Sequence, residues 1–167
     1  YSTLFFRTGI AYKFDIGRLK SASANQAQKP ASEEVDKLVG KIAGLVFDAE
    51  RSLGMTVDRL REYWRRAELI ELSDMCSIIG YPDLVAVTMF FLTDGKVTNV
   101  TYSFGNYDAK VEAVLKLALI QRFDSPRSTG SDGRSYWVDR TTVFALGKEK
   151  YPEAESGYIL TLVCFQP

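Results

Sequence analysis

The chain has 167 residues, of which 46% are hydrophobic and 25% charged, and its 21 basic side chains balance 21 acidic ones. This length and composition are typical of one globular domain. A net charge of zero provides no field that would attract nucleic acid, and no apolar run has the roughly 18 residues that a bilayer crossing needs. The sequence therefore predicts a folded domain without nucleic-acid binding and without a transmembrane segment.

The first 29 residues are interpreted as an arm followed by a polar linker, and residues 30–167 as a single domain. Large apolar side chains alternate from Ile10 to Ile16, which is typical of a strand, whereas residues 20–29 are polar. We expect the arm, residues 1–19, to pair with the domain's own sheet. Because the chain begins at Tyr1 and not at Met, we also expect that a leader, an anchor or a tag preceded it.

Two helices are predicted in the first part of the domain. Ser32 followed by two glutamates is typical of a helix start, and apolar residues then recur every three or four positions as far as Ser52. Gly54 is placed to end this helix, and Thr56 to cap a shorter one over residues 57–66. Residues 69–81 have a mixed pattern, which we interpret as an irregular strand or loop.

The remaining pattern predicts pairs of strands around one further helix. The β-branched and aromatic run from Leu84 to Phe104 is interrupted by Asp94-Gly95, a strong signal for a hairpin turn. A helix is predicted over residues 108–122, and two final strands over residues 135–146 and 158–165. The sequence thus predicts an α+β fold, with an antiparallel sheet of four to five strands and two or three helices packed on one face.

No recognisable catalytic site is present in the sequence. The chain contains no histidine, which removes the commonest general base and the commonest metal ligand, and it has no GxSxG, P-loop or GxGxxG motif. Acidic pairs such as Glu68 with Glu71, or Asp132 with Asp139, are typical of solvated surface charge. We predict a protein that is not an enzyme and that has no catalytic residue, no metal and no cofactor.

Cys76 and Cys164 are the two cysteines of the chain, and neither belongs to a CxxC or Cys/His cluster. A structural zinc site is therefore not expected. Two alternatives stay open. The cysteines are either two buried thiols or a disulfide in an oxidising compartment, which requires Cα atoms within about 7 Å.

Two aromatic-rich regions are candidates for a binding surface. Residues 59–66 combine four arginines with two aromatic side chains, but an amphipathic helix with Leu60 and Trp64 in the core gives the same pattern, and we favour that interpretation. The loops 127–134 and 148–155 form the second region. Tyr136 and Trp137 follow the first loop, so one of them should face the core and the other the opposite face of the sheet. The candidate contact residues are Arg61, Tyr63, Trp64, Arg65, Tyr136, Trp137 and Tyr151.

The order of elements from Leu53 to Phe165 resembles a known type of exported domain. Its parts are Leu53-Gly54-Met55-Thr56 before a short helix, a hairpin around Asp94-Gly95, a helix leading to Phe123-Asp124-Ser125-Pro126, then Trp137-Val138-Asp139 and a final apolar strand. They are similar to small domains of the β-lactamase-inhibitor-like and outer-membrane assembly-lipoprotein type. The resemblance implies a periplasmic or otherwise extracytoplasmic protein that binds another protein through the helix-free face of its sheet or through its loops.

Three functions remain as hypotheses. The first is a non-enzymatic protein-binding domain, such as an inhibitor, an immunity-type antitoxin or an envelope assembly factor. The second is a small-ligand carrier or an enzyme with a pocket between sheet and helices. The third is a cytoplasmic secretion chaperone that dimerises through its sheet. An exposed aromatic sheet face would favour the first, an apolar cavity with converging polar groups the second, and a stable homodimer with free thiols the third.

Overall fold

The computed structural model describes residues 28–167, which form three helices and eight strands. The helices are α1 (Gln28–Ser52), α2 (Val57–Tyr63) and α3 (Ala109–Phe123). The strands are β1 (Ile70–Glu71), β2 (Met75–Ile79), β3 (Val87–Thr93), β4 (Lys96–Asn106), β5 (Ser128–Thr129), β6 (Ser135–Asp139), β7 (Thr142–Lys150) and β8 (Tyr158–Phe165). The expected pairing of the arm, residues 1–19, with the sheet lies outside the described residues.

All eight strands belong to one antiparallel sheet in the order β1-β2-β3-β4-β8-β7-β6-β5. The strands before α3 form one half of this sheet, and β8 returns beside β4 to add the second half. The predicted α+β class, with an antiparallel sheet and helices packed on it, is confirmed. The sheet has eight strands where the sequence predicts four to five.

Several local signals act as predicted. Asp94 and Gly95 have φ of 51° and 72°, so the turn between β3 and β4 uses the two left-handed residues that a type I′ hairpin requires. Gly54 follows the end of α1 with φ of 79°. The helix predicted over residues 108–122 is α3. Asp108, which the prediction includes in the helix, instead caps it, since its carboxylate accepts a hydrogen bond from the Lys110 backbone N–H at 2.7 Å.

The helix starts differ from the prediction. α1 begins at Gln28, so Ser32 lies inside the helix instead of capping it, and the last two residues of the predicted linker, 28 and 29, belong to the helix. Pro30 is tolerated there because the first turn of a helix has no intrahelical use for its backbone N–H. α2 ends at Tyr63 rather than near residue 66, and the Thr56 side chain makes no capping hydrogen bond.

The strands are also more divided than predicted. Residues 135–146 form a hairpin, β6 and β7, instead of one strand, because the chain reverses at Arg140 with φ of 54°. This turn contains neither glycine nor proline, so the usual signal is missing. Residues 69–81 contain the β1–β2 hairpin rather than an irregular segment, and the loop 127–134 contains β5.

One hydrophobic core lies between the three helices and one face of the sheet. α1 packs against α3, and the Tyr102 hydroxyl of β4 donates a hydrogen bond to the Leu45 carbonyl of α1 at 2.8 Å. Fully buried members of this core include Ile42, Leu60, Phe90, Leu119, Trp137, Phe144 and Leu162. Within residues 28–167, no helix combines the length and the apolar composition that a bilayer crossing requires.

Candidate functional site

The face of the sheet that points away from the core carries no helix in the described part of the chain. Successive strand residues point to opposite faces, so Phe90 enters the core while its neighbour Phe91 points to the other side. The register aligns the side chains of this second face into rows across the strands. The first row contains Met75, Phe91, Asn99, Phe165, Val143 and Val138. The second row contains Ile70, Ser77, Met89, Thr101, Val163, Ala145 and Tyr136.

Large apolar side chains on these two rows are accessible to solvent. Phe91 and Ile70 are each 40% exposed, whereas Ser77, Thr101 and Ala145 in the middle of the second row are buried. The half-buried apolar members of the two rows are Met75, Met89, Val138, Val143, Val163 and Phe165. None of them is among the described side chains that pack against the core. We call this group the apolar sheet patch, and its members are Met75, Met89, Phe91, Val138, Val143, Val163 and Phe165. Contiguous exposed apolar surface of this kind is typical of an interaction site.

The two rows contain no charged residue, although 25% of the whole chain is charged. Their polar members are neutral, and the central one is Asn99, which lies in register between Phe91 and Phe165. The Asn99 Oδ1 accepts a hydrogen bond from the Thr101 hydroxyl at 2.9 Å. Depletion of charge distinguishes the centres of protein interfaces from the rest of a protein surface.

A third row, next to the second, is more deeply buried. It runs Ile79, Val87, Ser103, Thr161 and Gly147, and only Ile79 is exposed. The accessible apolar surface is therefore concentrated on the first two rows. In the second row, the buried Ser77 hydroxyl has no hydrogen-bond partner within residues 28–167.

Both edges of the sheet are short. The outermost strands β1 and β5 have two residues each, and each pairs with only two residues of its inner neighbour. A partner that adds a strand to a sheet needs a longer run of unpaired backbone groups, and short edge strands are one way in which proteins prevent such pairing. The broad face therefore offers more contact surface than the edges do.

The aromatic residues of the predicted segment 59–66 lie on the helix side of the sheet. Trp64 is 4% exposed and donates its indole N–H to the Ser52 hydroxyl at 3.0 Å. The Tyr63 hydroxyl donates to the Asp48 carboxylate at 2.8 Å, and partial burial together with this hydrogen bond raises the pKa of Tyr63 to about 12. This placement agrees with the interpretation that Leu60 and Trp64 belong to the core.

The arginines of the same segment lie in solvent. Arg61 forms ion pairs with Asp58, at 2.9 Å, and with Glu71. Arg65 is exposed. Exposed ion pairs of this kind contribute little to stability, and neither arginine lies on the face that carries the apolar sheet patch.

The second predicted region is divided between the two faces. Trp137 is 1% exposed and donates its indole N–H to the Asp124 carbonyl at 3.0 Å, so it belongs to the core. Tyr136 points to the other face, as expected for adjacent strand residues, and lies in the second row beside the patch. Its hydroxyl donates to the Asp132 carboxylate at 2.9 Å. Tyr151 is half-buried in the connection between β7 and β8.

The two cysteines are free thiols, and both are buried. Cys76 and Cys164 occupy one cross-strand row together with Phe90 and Val100, which places them three strand spacings apart. This separation is about 14 Å, well beyond the Cα separation that a disulfide spans. The disulfide alternative is therefore wrong for this fold, and the buried-thiol alternative is correct.

Among residues 28–167, Glu50 and Cys164 have raised pKa values. Burial, with a contribution from the Asp139 carboxylate, raises the pKa of Glu50. Burial, with a contribution from Glu50, raises the pKa of the Cys164 thiol to about 12. A thiol with such a pKa is protonated at neutral pH and is a poor nucleophile. In the described part of the chain, no three Cys, Asp or Glu side chains converge in a way that would hold a metal ion.

No member of the apolar sheet patch is among the contact residues predicted from the sequence. A usable signal exists in β8, where Ile159, Val163 and Phe165 alternate with the core residues Leu160 and Leu162. A strand that is apolar on both faces is typical of a sheet that is covered on both sides. In this sheet the described helices cover one side only.

The chain matches no family model, and no curated protein or solved structure gives a significant match to it. The resemblance to exported inhibitor-like and assembly-lipoprotein domains therefore stays an expectation.

Proposed function

We propose that this chain is a non-enzymatic protein-binding domain that engages another protein through the apolar sheet patch. The observation that carries the proposal is the exposed ring of Phe91 on an uncharged, largely apolar surface. A face of this composition on an isolated protein remains in contact with water. Covering it with a partner releases that water and contributes a favourable free energy of about 25 cal/mol per Å² of apolar surface buried.

The side chains of the patch suit protein recognition. Phe91 and Phe165 lie on either side of Asn99 and provide two large anchors, a residue type enriched at interface centres. Met75 lies on β2 in register with Phe91, and Met89 lies on β3 two residues before Phe91. The flexible thioether side chain of methionine adapts to the shape of a partner. The patch therefore combines rigid anchors with adaptable contacts.

Within this class, an inhibitor, an immunity-type antitoxin or an envelope assembly factor is our proposed role, with an extracytoplasmic location. Its support is the resemblance described above, which implies binding through the helix-free face. A second candidate, the cytoplasmic secretion chaperone that dimerises through its sheet, is favoured by one observation, the two buried free thiols. Thiols persist most readily in a reducing compartment.

The proposal is tested by capture from a lysate of the source organism with three baits. The baits are the unaltered chain, Phe91→Asp and Phe47→Asp. Phe47 is a matched control, because its ring is 57% exposed on α1, on the opposite side of the molecule. We expect a stoichiometric protein partner with the unaltered chain and with Phe47→Asp, and loss of this partner with Phe91→Asp. Equal capture by all three baits would contradict the proposal.

A further inference from the structure

We propose that the partner at the apolar sheet patch is a second copy of this chain, so that two sheets pack face to face about a twofold axis. This inference rests on the proposed function, because it names the partner of the same surface. Two antiparallel sheets pack in this way about 10 Å apart in β-sandwiches, where the side chains of the two facing sheets interdigitate.

The absence of charge on the patch favours this partner. A twofold interface brings the same surface patch of each copy into contact, so a charge near the axis would lie opposite its own copy, and any other charge would need an opposite charge elsewhere on the same patch. The two rows that form the patch carry no charge and are therefore compatible with their own copy. A strongly charged partner surface would instead lose its hydration without gaining an opposite charge.

The area of the patch is sufficient for a reversible dimer. The rows cross the strands β2, β3, β4, β8, β7 and β6. With strands about 4.8 Å apart and rows about 7 Å apart, and with the width of the side chains added, each copy presents roughly 400 Å². Two copies then bury at most roughly 800 Å², the size of a weak or transient contact, to which Ile70 on β1 adds. Interfaces of this size dissociate readily, so we expect a dimer that depends on concentration.

Asn99 provides a means of fixing how the two copies align. It lies in register between Phe91 and Phe165, and within residues 28–167 the only hydrogen bond of its side chain is the one that Oδ1 accepts from Thr101. Its side-chain N–H groups donate to no described residue and thus remain available to a partner. A single polar residue at the centre of an apolar interface specifies register, because other alignments would bury it without a partner.

The test is sedimentation velocity of the purified, untagged full chain across roughly 1 to 300 µM, a range in which a weak interface of this size dissociates. We expect a monomer–dimer equilibrium for the unaltered chain. Phe91→Asp should weaken association at least about tenfold, because two carboxylates would enter the apolar interface. Phe47→Asp should dimerise like the unaltered chain.

Asn99→Asp supplies a second variant in case Phe91→Asp fails to fold. The side chains have the same shape, and the hydrogen bond from Thr101 to Oδ1 is retained, yet each copy brings one negative charge to the interface centre. We expect weaker association at neutral pH and its recovery when the pH falls below the carboxyl pKa of about 4. Unfolding of the variant would not be reversed by acid.

Three outcomes would overturn the inference. A monomer at every concentration would exclude a second copy as the occupant, and the capture experiment would then decide the proposed function separately. A dimer that Phe47→Asp disrupts and Phe91→Asp does not would move the contact to the helix side. A dimer of the Asn99→Asp variant that is equally strong at neutral and acid pH would place Asn99 outside the interface.

Discussion

The indole N–H of Trp64 donates a hydrogen bond to the Ser52 hydroxyl at 3.0 Å, and the same hydroxyl donates to the Asp48 carbonyl at 2.7 Å. This relay joins the chain just after α2 to the last turn of α1 and fixes the ring of Trp64 against Phe90 of the sheet. Trp64 and Ser52 are both buried, so the indole N–H cannot exchange its acceptor for water.

Replacement of Ser52 by alanine should therefore destabilise the fold. The Trp64 N–H would remain buried without an acceptor, which costs about 1–3 kcal/mol. The free energy of unfolding, measured by urea denaturation, gives the loss directly. Ser131→Ala is the matched control, since Ser131 is exposed on the loop before β6 and should change stability by less than about 0.5 kcal/mol. Equal effects of the two substitutions would contradict the relay.

Two glycine substitutions should change stability in opposite directions. Gly95 has φ of 72° and open space around its Cα, so Gly95→Ala adds backbone strain of about 1–2 kcal/mol without a steric clash. Gly44 lies in α1 with open space beside it, so Gly44→Ala should stabilise the protein by about 0.5–1 kcal/mol. Thermal unfolding of both variants tests the pair. A stabilised Gly95→Ala protein would contradict the type I′ turn.

The cysteines should react only after unfolding. Cys76 and Cys164 are buried, and their Cα atoms are about 14 Å apart by strand spacing. We expect a thiol reagent to label neither residue in the native protein and both in denaturant without a reducing agent. Labelling that requires prior reduction would show a disulfide and would contradict the register of the sheet.

Stability should decline in mild alkali. Burial raises the pKa of the Cys164 thiol from 9.0 to about 12, so the folded state holds this proton more tightly than the unfolded state does. The resulting stabilisation is complete below pH 9 and is lost as the pH rises towards 12, with a slope of at most about 1.4 kcal/mol per pH unit for one group.

Urea denaturation between about pH 8 and 10 measures this slope. The Cys76 thiol, whose pKa is also raised by burial, and the Tyr63 hydroxyl, whose pKa rises from 10.0 to about 12, contribute to the slope of both proteins, so only the difference between them reports on Cys164. Cys164→Ala also removes buried volume, so the comparison concerns the slope and not the absolute stability. We expect a smaller slope for Cys164→Ala than for the unaltered chain. The same slope in both proteins would contradict the burial of this thiol.

Much of the fold is predictable from local patterns, since the turn at Asp94-Gly95 and the cap at Asp108 use side chains suited to those conformations. The turn at Arg140 divides the predicted strand 135–146. The sequence does not reveal this turn, because neither glycine nor proline marks it. The pairing of β8 with β4 joins segments far apart in sequence and depends on packing that no local pattern encodes.

The surface was harder to predict than the fold. Trp64 and Trp137 are aromatic residues beside polar segments and were candidate contacts, but both indole rings lie in the core. Phe91 and Phe90 are chemically identical, and only the position of the helices decides which of them is buried. Alternation in a strand identifies two faces, but it does not identify the face that another element covers.

The central claim, that the apolar sheet patch is a protein interface, is tested most directly by oxidative footprinting of the three methionines. Met75 and Met89 lie in the patch, whereas the half-buried Met55 packs against the core on the helix side. Peroxide oxidation, followed by mass spectrometry, is compared between dilute protein and concentrated or partner-bound protein. We predict that oxidation of Met75 and Met89 slows in the associated state while that of Met55 is unchanged. The claim would be contradicted if association left the oxidation rate of every methionine unchanged, or if it protected Met55 alone.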